Sequence, residues 1–369
     1  MNTGPQPVVI REARSPEEMQ RFVRFAWTIY PNDPYWVPPL VADRLKLLDR
    51  QANPFWQSAE LACWLAWRGQ EVVGTIAAIL DHHRNEVLGQ RLGSFGFFEC
   101  QADEQAAQAL IQTAEGWLRE RGMEKIVGPH NPTHSDEMGL LVEGFDSRPA
   151  VLEPHTAPYY PAYFEQRGYT PYQTLVARRL FLARGAKPAD LLPARMISIA
   201  ERVAQREDVR IRPVDMKNWE ADIATACQVY NAALAPLPGY VDIPEAEFQR
   251  AALGFKAIID PQMALMVEVN GEPAAFALAL PDANQALQKM NGRSDLFALL
   301  KFLWVSRKLE QLSFKILMVV PEYQGRGLES LLILRVTERA LQKGYKVVEM
   351  SLTGDENLKS NRLQERLGL

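Results

Sequence analysis

One pattern recurs along this chain with a period of about 200 residues, and a repeat that long requires one supersecondary plan to be built twice. The first copy opens with the strand pattern Val8–Arg11 and a helical pattern from Pro16 to Tyr30. The second opens with Val209–Arg212 and a helical pattern from Trp219 to Leu234. Cys63–Ala78 reads as a hairpin turning at Arg68-Gly69-Gln70, and Leu265–Leu278 reads as its counterpart turning at Asn270-Gly271. Glycine and asparagine tolerate the left-handed backbone that such tight turns demand. A helix then leads into a strand in each copy: Gln105–Arg121, Gly122, Glu124–Val127 and Ser330–Lys343, Gly344, Lys346–Met350. Each intervening glycine stands where a helix C-cap needs a left-handed residue. A last helical segment ends at Gly168 in one copy and Gly368 in the other.

The offsets are uneven in an informative way. Gly69 and Gly271 are about 200 apart, as are Gly168 and Gly368, whereas Gly122 and Gly344 are about 220 apart, so each copy carries one insertion where loops tolerate it. The second copy gains the mostly helical excursion Asp282–Lys308, and the first gains the loop Gly128–Pro158. Leu191–Gln205 has helical spacing and reads as a bridge between copies. Alternating strands and helices imply α/β architecture with mixed sheets, each a mostly antiparallel sheet flanked by helices. The expected layout is a first domain over 1–183, a linker and bridging helix over 184–208, and a second domain over 209–369.

The chain of 369 residues is 47% hydrophobic and 23% charged, enough for two ordinary cores. Its net charge of −4 argues against a dedicated nucleic-acid binder, which normally carries a basic surplus. Cys63, Cys100 and Cys227 form no CxxC pair and read as reduced thiols. With no signal-peptide pattern and no apolar run of about 18 residues, a cytoplasmic location is expected, without a membrane span.

Specific chemistry is concentrated in Phe314–Leu332. The pattern is strand, glycine-rich turn, helix: Met318-Val319-Val320-Pro321, then Gln324-Gly325-Arg326-Gly327, then Leu328-Glu329-Ser330. Amides at a helix N-terminus with the helix dipole behind them suit a diphosphate. Gly325 and Gly327 would let the backbone approach it without a Cβ. Neither the P-loop nor the dinucleotide fingerprint matches, because no Gly-Lys-Ser/Thr and no third glycine follow.

This segment resembles the acetyl-CoA signature of the GNAT superfamily of N-acetyltransferases, Gln/Arg-x-x-Gly-x-Gly/Ala. Gln324 and Gly327 match, and Glu329 replaces the last small residue. Asn357–Gly368 is similar to the family's Asn-x-x-Ala…Tyr-x-x-x-Gly segment: Asn357 matches the asparagine against the pantetheine arm, and Gln364 stands where many members place an acidic tyrosine. The resemblance implies two tandem GNAT-like domains and a CoA-dependent N-acyltransferase, with acetyl-CoA or a longer acyl-CoA as co-substrate. Its donor would be held by Met318, Val319, Val320, Gln324, Gly325, Arg326, Gly327, Leu328, Glu329, Ser330 and Asn357. Members continue past Gly368 with a final strand, so either the second copy lacks it or another segment fills the place. The first copy is degenerate, with no glycine at its corresponding junction and Asp103 reading as an N-cap.

The acceptor implied is an amine of a small molecule or peptide. Glu349 and Glu268 are the candidate general bases, lying on strand patterns of the second copy. His130, His134, His155 and Tyr159, in or beside the first copy's inserted loop, are candidates for the acceptor side, and Tyr30–Pro39 could wall the same pocket. The histidine spacing matches no metal motif, and no metal is expected. Two other readings remain: an aminoacyl-tRNA-dependent transferase of the kind that builds peptidoglycan bridges, and a non-catalytic acyl-CoA-binding module.

Overall fold

A computed structural model describes residues 6–133 and 136–367. The first copy supplies β1 (Val8–Glu12), α1 (Pro16–Arg24), α2 (Ala26–Ile29), α3 (Val41–Leu48), β2 (Ala59–Arg68), β3 (Glu71–Asp81), α4 (His82–Leu88), β4 (Leu92–Cys100), α5 (Glu104–Glu120), β5 (Lys125–Val127), the short pair β6 (His130–Asn131) and β7 (Glu137–Met138), and α6 (Tyr160–Gln166). Then follow β8 (Leu175–Phe181), α7 (Pro188–Leu191), α8 (Ala194–Ala204), β9 (Val209–Pro213), α9 (Trp219–Leu234), α10 (Glu245–Phe255), β10 (Ala264–Val269) and β11 (Glu272–Pro281). The chain ends with α11 (Asn284–Met290), α12 (Leu296–Ser306), β12 (Gln311–Val319), α13 (Leu328–Gln342), β13 (Val347–Gly354) and α14 (Leu358–Arg366).

Local chemistry explains the element ends. Ser15 and Glu18 form a reciprocal capping box that starts α1. Asp103 caps α5 by accepting from the Ala106 amide, and is also gripped by Arg68 at 2.7 Å. Asn270 and Gly271 both have positive φ, the geometry of the two-residue turn that joins β10 to β11.

The repeat holds strand by strand. One sheet has the order β1-β2-β3-β4-β5 and the other β8-β13-β12-β11-β10-β9. In each, the pairings are antiparallel except one: β4 with β5, and β12 with β13, run parallel. Helix α5 packs on the first sheet through Ala107, Leu110, Ile111, Ala114 and Leu118, and α13 packs on the second through Leu328, Leu331, Leu332 and Val336. Mixed α/β architecture with largely antiparallel sheets is therefore what the chain adopts.

The boundaries differ from the sequence expectation. One compact unit comprises residues up to Tyr172 together with Asn284–Val305, and the other comprises Gln173–Ala283 with Ser306–Leu369. The strand β8, which follows the first copy in sequence, pairs antiparallel with β13 in the second sheet and stands where a final strand was wanted. The reason is edge length. The outer strand β5 is only three residues long, whereas β13 offers eight. Helix α8 is likewise no bridge, because Ala200 and Val203 belong to the core beneath α13. The helical excursion moves the other way: Gln288 donates to the carbonyls of Pro34 and Trp36, and Asn284 to that of Pro149.

The β8–β13 junction contains an ion pair of Arg179 Nε with Glu349 at 2.5 Å, the glutamate being 1% exposed. Removing one partner of a buried pair leaves an uncompensated charge. Arg179→Ala is therefore expected to cost about 3 kcal/mol, read as a lower urea midpoint with unchanged m-value.

Candidate active site

In the second unit β12 and β13 pair only from Gln311 to Phe314, against Val347 to Met350. Beyond that the strands part. A register shift against β11 makes Lys315 an extra residue, and such a bulge turns a strand away from its neighbour. Successive backbone groups point to alternate sides of a strand, so part of the Lys315–Val319 backbone faces this opening. Meanwhile β13 keeps its pairing on the far side, with Thr353 opposite Val176 and Gly354 opposite Leu175.

The glycine turn lies at the end of β12. Gln324 donates its side-chain amide to the Val319 carbonyl at 3.2 Å, which folds the turn over the strand end. Gln324, Gly325 and Arg326 are exposed. Gly325 and Gly327 have φ of +73° and +87°, where a Cβ is strained. Their roles differ from the simple expectation. A Cβ on Gly325 would meet nothing within 4 Å, so its free side is open to an incoming group. A Cβ on Gly327 would lie 2.5 Å from Ile199 of α8, so this glycine serves the packing of α8 under the turn. Gly327 is also the N-cap of α13, and no side chain caps it. The first-turn amides thus keep the positive end of the dipole toward the turn. Arg326 stacks over Tyr323 at 5.2 Å, and Glu329 lies in the first turn, where the dipole favours a carboxylate. Met318, Val319, Val320, Leu328 and Ser330 flank the same turn. Asn357 caps α14 by accepting from the Ser360 amide at 3.1 Å.

Three other expectations meet a different geometry. Glu349 sits opposite Ser313, where the strands are still paired, and is bonded to Arg179 and to Gln311 at 3.1 Å. It faces no opening and is a buried strut. Glu268 is held by Arg212 at 2.8 Å, and Arg212 also grips Asp222. Both carboxylates carry charge that a neighbouring arginine already compensates. Gln364, at the position of the family's tyrosine, is buried and donates to Thr353 at 2.9 Å while accepting from Arg178 of β8 at 2.8 Å. It ties β8 to α14 and offers no acid.

In the first unit the equivalent edge is filled. Strands β4 and β5 pair at Leu92–Ser94 and then part. Asn131 accepts from the Phe97 amide at 2.6 Å, Tyr159 donates to the Cys100 carbonyl at 2.8 Å, and Tyr160 accepts from the Cys100 amide at 2.9 Å. A Cβ on Gly96 would strike the His130 carbonyl, so the backbone of β6 lies directly on β4. His130 is thereby part of this plug. His134 lies outside the described residues.

Tyr159 lines a cleft of about 450 Å³ with Tyr30, Asn32, Asp33, Phe145 and Thr156, and His155 lies behind that lining rather than in it. His155 is buried with Nε2 at 2.7 Å from Asp33. Burial would raise the Asp33 carboxyl, but the His155 bond and the amides of Tyr35 and Trp36 outweigh it and hold it below the usual range. Behind Tyr30 lies Glu99, whose carboxylate accepts from Tyr30 at 2.8 Å and Tyr160 at 2.7 Å. Burial pushes Glu99 up to about 7, against those two bonds. Sequence reasoning singled out Tyr30–Pro39 but not Glu99, which alternates along an apolar strand with nothing local to mark it. Among the described residues, no group of three or more His, Cys, Asp and Glu is placed to hold a metal.

A profile of the Acetyltransferase (GNAT) family matches residues 228–369. The chain is 30% identical to the bacterial ceramide synthase of Caulobacter vibrioides over 365 residues, covering 96% of this chain and 92% of that protein. The chain belongs to the GNAT family. It is 29% identical to Protein YghO of Escherichia coli, covering 98% and 92% of the two. Among solved structures, a tandem GNAT protein from the clavulanic acid biosynthesis pathway superposes with a TM-score of 0.55 at 14% identity, covering 98% of this chain and 94% of that one. A glucosamine N-acetyltransferase region of a fungal β-N-acetylglucosaminidase gives 0.55 at 16% identity, covering 97% of this chain and 37% of that one. Both show the fold alone. This GNAT protein is an acyltransferase with a tandem arrangement; the family's fold typically binds an acyl-CoA, and its enzymes take amine acceptors.

The Glu99 shift sets a pH dependence. The folded state holds this proton up to about pH 7 and the unfolded chain releases it near the ordinary value of 4.5, so folding binds protons between the two. Stability from this group is fully present below the unfolded value and is lost as pH rises to about 7. Glu99→Gln is expected to remove that decline, a difference of at most about 3 kcal/mol, seen by comparing urea unfolding of both proteins from pH 4.5 to 8.

Proposed function

We propose that the second unit transfers an acyl group from an acyl-CoA to the amine of a long-chain amino alcohol. The observation that carries the donor half is the turn itself: a left-handed glycine pair, its first member exposed, leading into a helix that no side chain caps, directly beyond a strand that has left its parallel neighbour. The residues fit a CoA. Amides of Gly325 and of Gly327 to Ser330 would hold its diphosphate, with the Arg326 side chain swinging from Tyr323 to add a charge-assisted bond. The gap beside Lys315–Val319 would take the pantetheine arm, and Asn357, the N-cap of α14, would stand against it as the family's asparagine does. Bound there, the CoA supplies an acyl group activated as a thioester. A β12 amide in the gap would then donate to the acyl oxygen, where charge develops.

The acceptor half rests on two supports. Ceramide is a long-chain amino alcohol acylated on nitrogen, and the synthase of that name aligns along nearly the whole chain. The side of β12 near the opening is also apolar: Ile316 and Met318 belong to a core cluster with Phe276 and Val320 and with Phe248 and Phe255 of α10. An acceptor entering beside that cluster would be better matched by a hydrocarbon chain than by a sugar or a peptide. With Glu349 and Glu268 both held by arginines, the acceptor's proton would pass to water rather than to either of them.

Thermal shift with free CoA, acetyl-CoA and palmitoyl-CoA tests the donor, and thiol release with sphinganine against short amines tests the acceptor. Stabilisation by the CoA species and faster release with sphinganine are expected. No shift with any CoA defeats the donor assignment, and equal rates with all amines defeat the acceptor. Gly325→Ala places a Cβ in the open approach and strains a positive φ, so CoA binding should weaken at least about tenfold while stability falls about 1 kcal/mol. Glu268→Gln should change kcat by less than about threefold, whereas loss of a general base costs about a hundredfold or more.

A further inference from the structure

Helix α12 is built the wrong way round for a surface helix. Its inward residues are Ala298 and Phe302, while Leu296, Phe297, Leu299, Leu300, Leu303 and Trp304 are 47–79% exposed. At about 100° per residue those six side chains sweep an arc of about 160°, where an amphipathic helix on a globular protein normally carries polar groups. Exposed apolar groups at this density mark an interaction surface rather than ordinary scatter.

Charge tells what kind of surface it meets. From Lys289 to Lys308 the chain carries five cations, Lys289, Arg293, Lys301, Arg307 and Lys308, against the single anion Asp295, although the whole protein has a net charge of −4. Lys301 falls at the border of the apolar arc, and Arg307 and Lys308 follow its last turn. Leucine and aromatic side chains on one face with lysine and arginine at the margin is the composition of a helix that lies in a lipid interface. Trp304 adds the residue type that favours the headgroup level. At 11 residues α12 is about 16 Å long, too short to cross a bilayer, and no described helix is long and apolar enough to do so.

The mounting is rigid. Trp27 donates to Asn291 at 2.9 Å, and the Val41 amide donates to the Gly292 carbonyl at 3.1 Å. Gly292 is pressed onto Trp27, whose ring would be 2.3 Å from a Cβ at that position. The chain is thus pinned just before α12 begins, and little ordering is left to be done on contact.

We propose that α12 docks the protein flat onto an anionic lipid bilayer, its apolar face in the acyl boundary and its basic margin among the headgroups. The inference stands on the helix alone and does not require the acceptor to be a lipid. Vesicle flotation tests it, with vesicles of phosphatidylethanolamine and phosphatidylglycerol against neutral phosphatidylcholine. The intact protein should float with the anionic vesicles and bind neutral ones several-fold less. Leu300→Glu with Trp304→Glu should reduce binding at least about tenfold while the melting temperature stays unchanged, since both side chains face solvent. Lys301→Glu should weaken binding several-fold and flatten its salt dependence. Failure of the intact protein to float, or equal flotation of the double variant, overturns the proposal. So does a concentration-dependent dimer that the double variant abolishes, because the patch would then cover a second copy of this chain.

Discussion

A strand can leave its neighbour only if its hydrogen bonds are met on the other side. That constraint governs the second unit. After Phe314 and Met350, β12 and β13 separate, and each needs a second partner: β12 has β11, and β13 has β8. Without β8, the far half of β13 would have no ladder. The separation of β12 from β13 therefore leans on a strand delivered from the chain's midpoint. Arg178 and Arg179 of that strand also anchor Gln364 of α14 and Glu349 of β13, so one short segment ties helix and sheet together.

The two units make opposite use of one geometry. In each, a parallel pair splays beside a bulged strand. In the first unit, Asn131, Tyr159 and Tyr160 satisfy the freed backbone of β4, and Tyr160 also donates to the buried Glu99. In the second, a glycine turn and a bare helix N-terminus stand beyond the freed edge. The same geometry is thus closed by the chain's own side chains in one copy and left without such a plug among the described residues of the other. The closed copy keeps a cleft of its own around Tyr30 and Asp33.

Much of this was readable from residues. Asn270-Gly271, Gly122, Gly344, Asp103 and the Gln324–Gly327 turn are local signals, because each requires a backbone conformation that few residues adopt. The paired copies followed from such signals recurring in order. The strand partner of Leu175–Phe181 was not readable, since its pattern favours a strand without saying which edge receives it, and sequence order pointed to the first copy. Glu349 and Glu268 illustrate another limit. A carboxylate on an apolar strand looks reactive until its arginine is found, and Arg179 and Arg212 lie about 170 and 56 positions away. Gly327 shows the same effect in reverse, its purpose set by α8 rather than by the turn around it. Glu99 escaped notice because its neighbours Tyr30, at the end of α2, and Tyr160, at the start of α6, lie far from it on either side in sequence.

The exchange of segments between the copies has a consequence for how the chain is made. Helix α11 hydrogen-bonds the backbone of Pro34, Trp36 and Pro149, yet it emerges well over a hundred residues after them. During synthesis from the N-terminus, the first unit must wait for Gln173–Ala283 of the second to appear before its aromatic corner at Trp27 and Trp36 is covered. Strand β8, by contrast, is finished early and must be kept from pairing elsewhere until β13 arrives. Neither unit is therefore complete when its own copy of the pattern has been made: the first needs Asn284–Val305, and the second needs β13 before β8 has its partner.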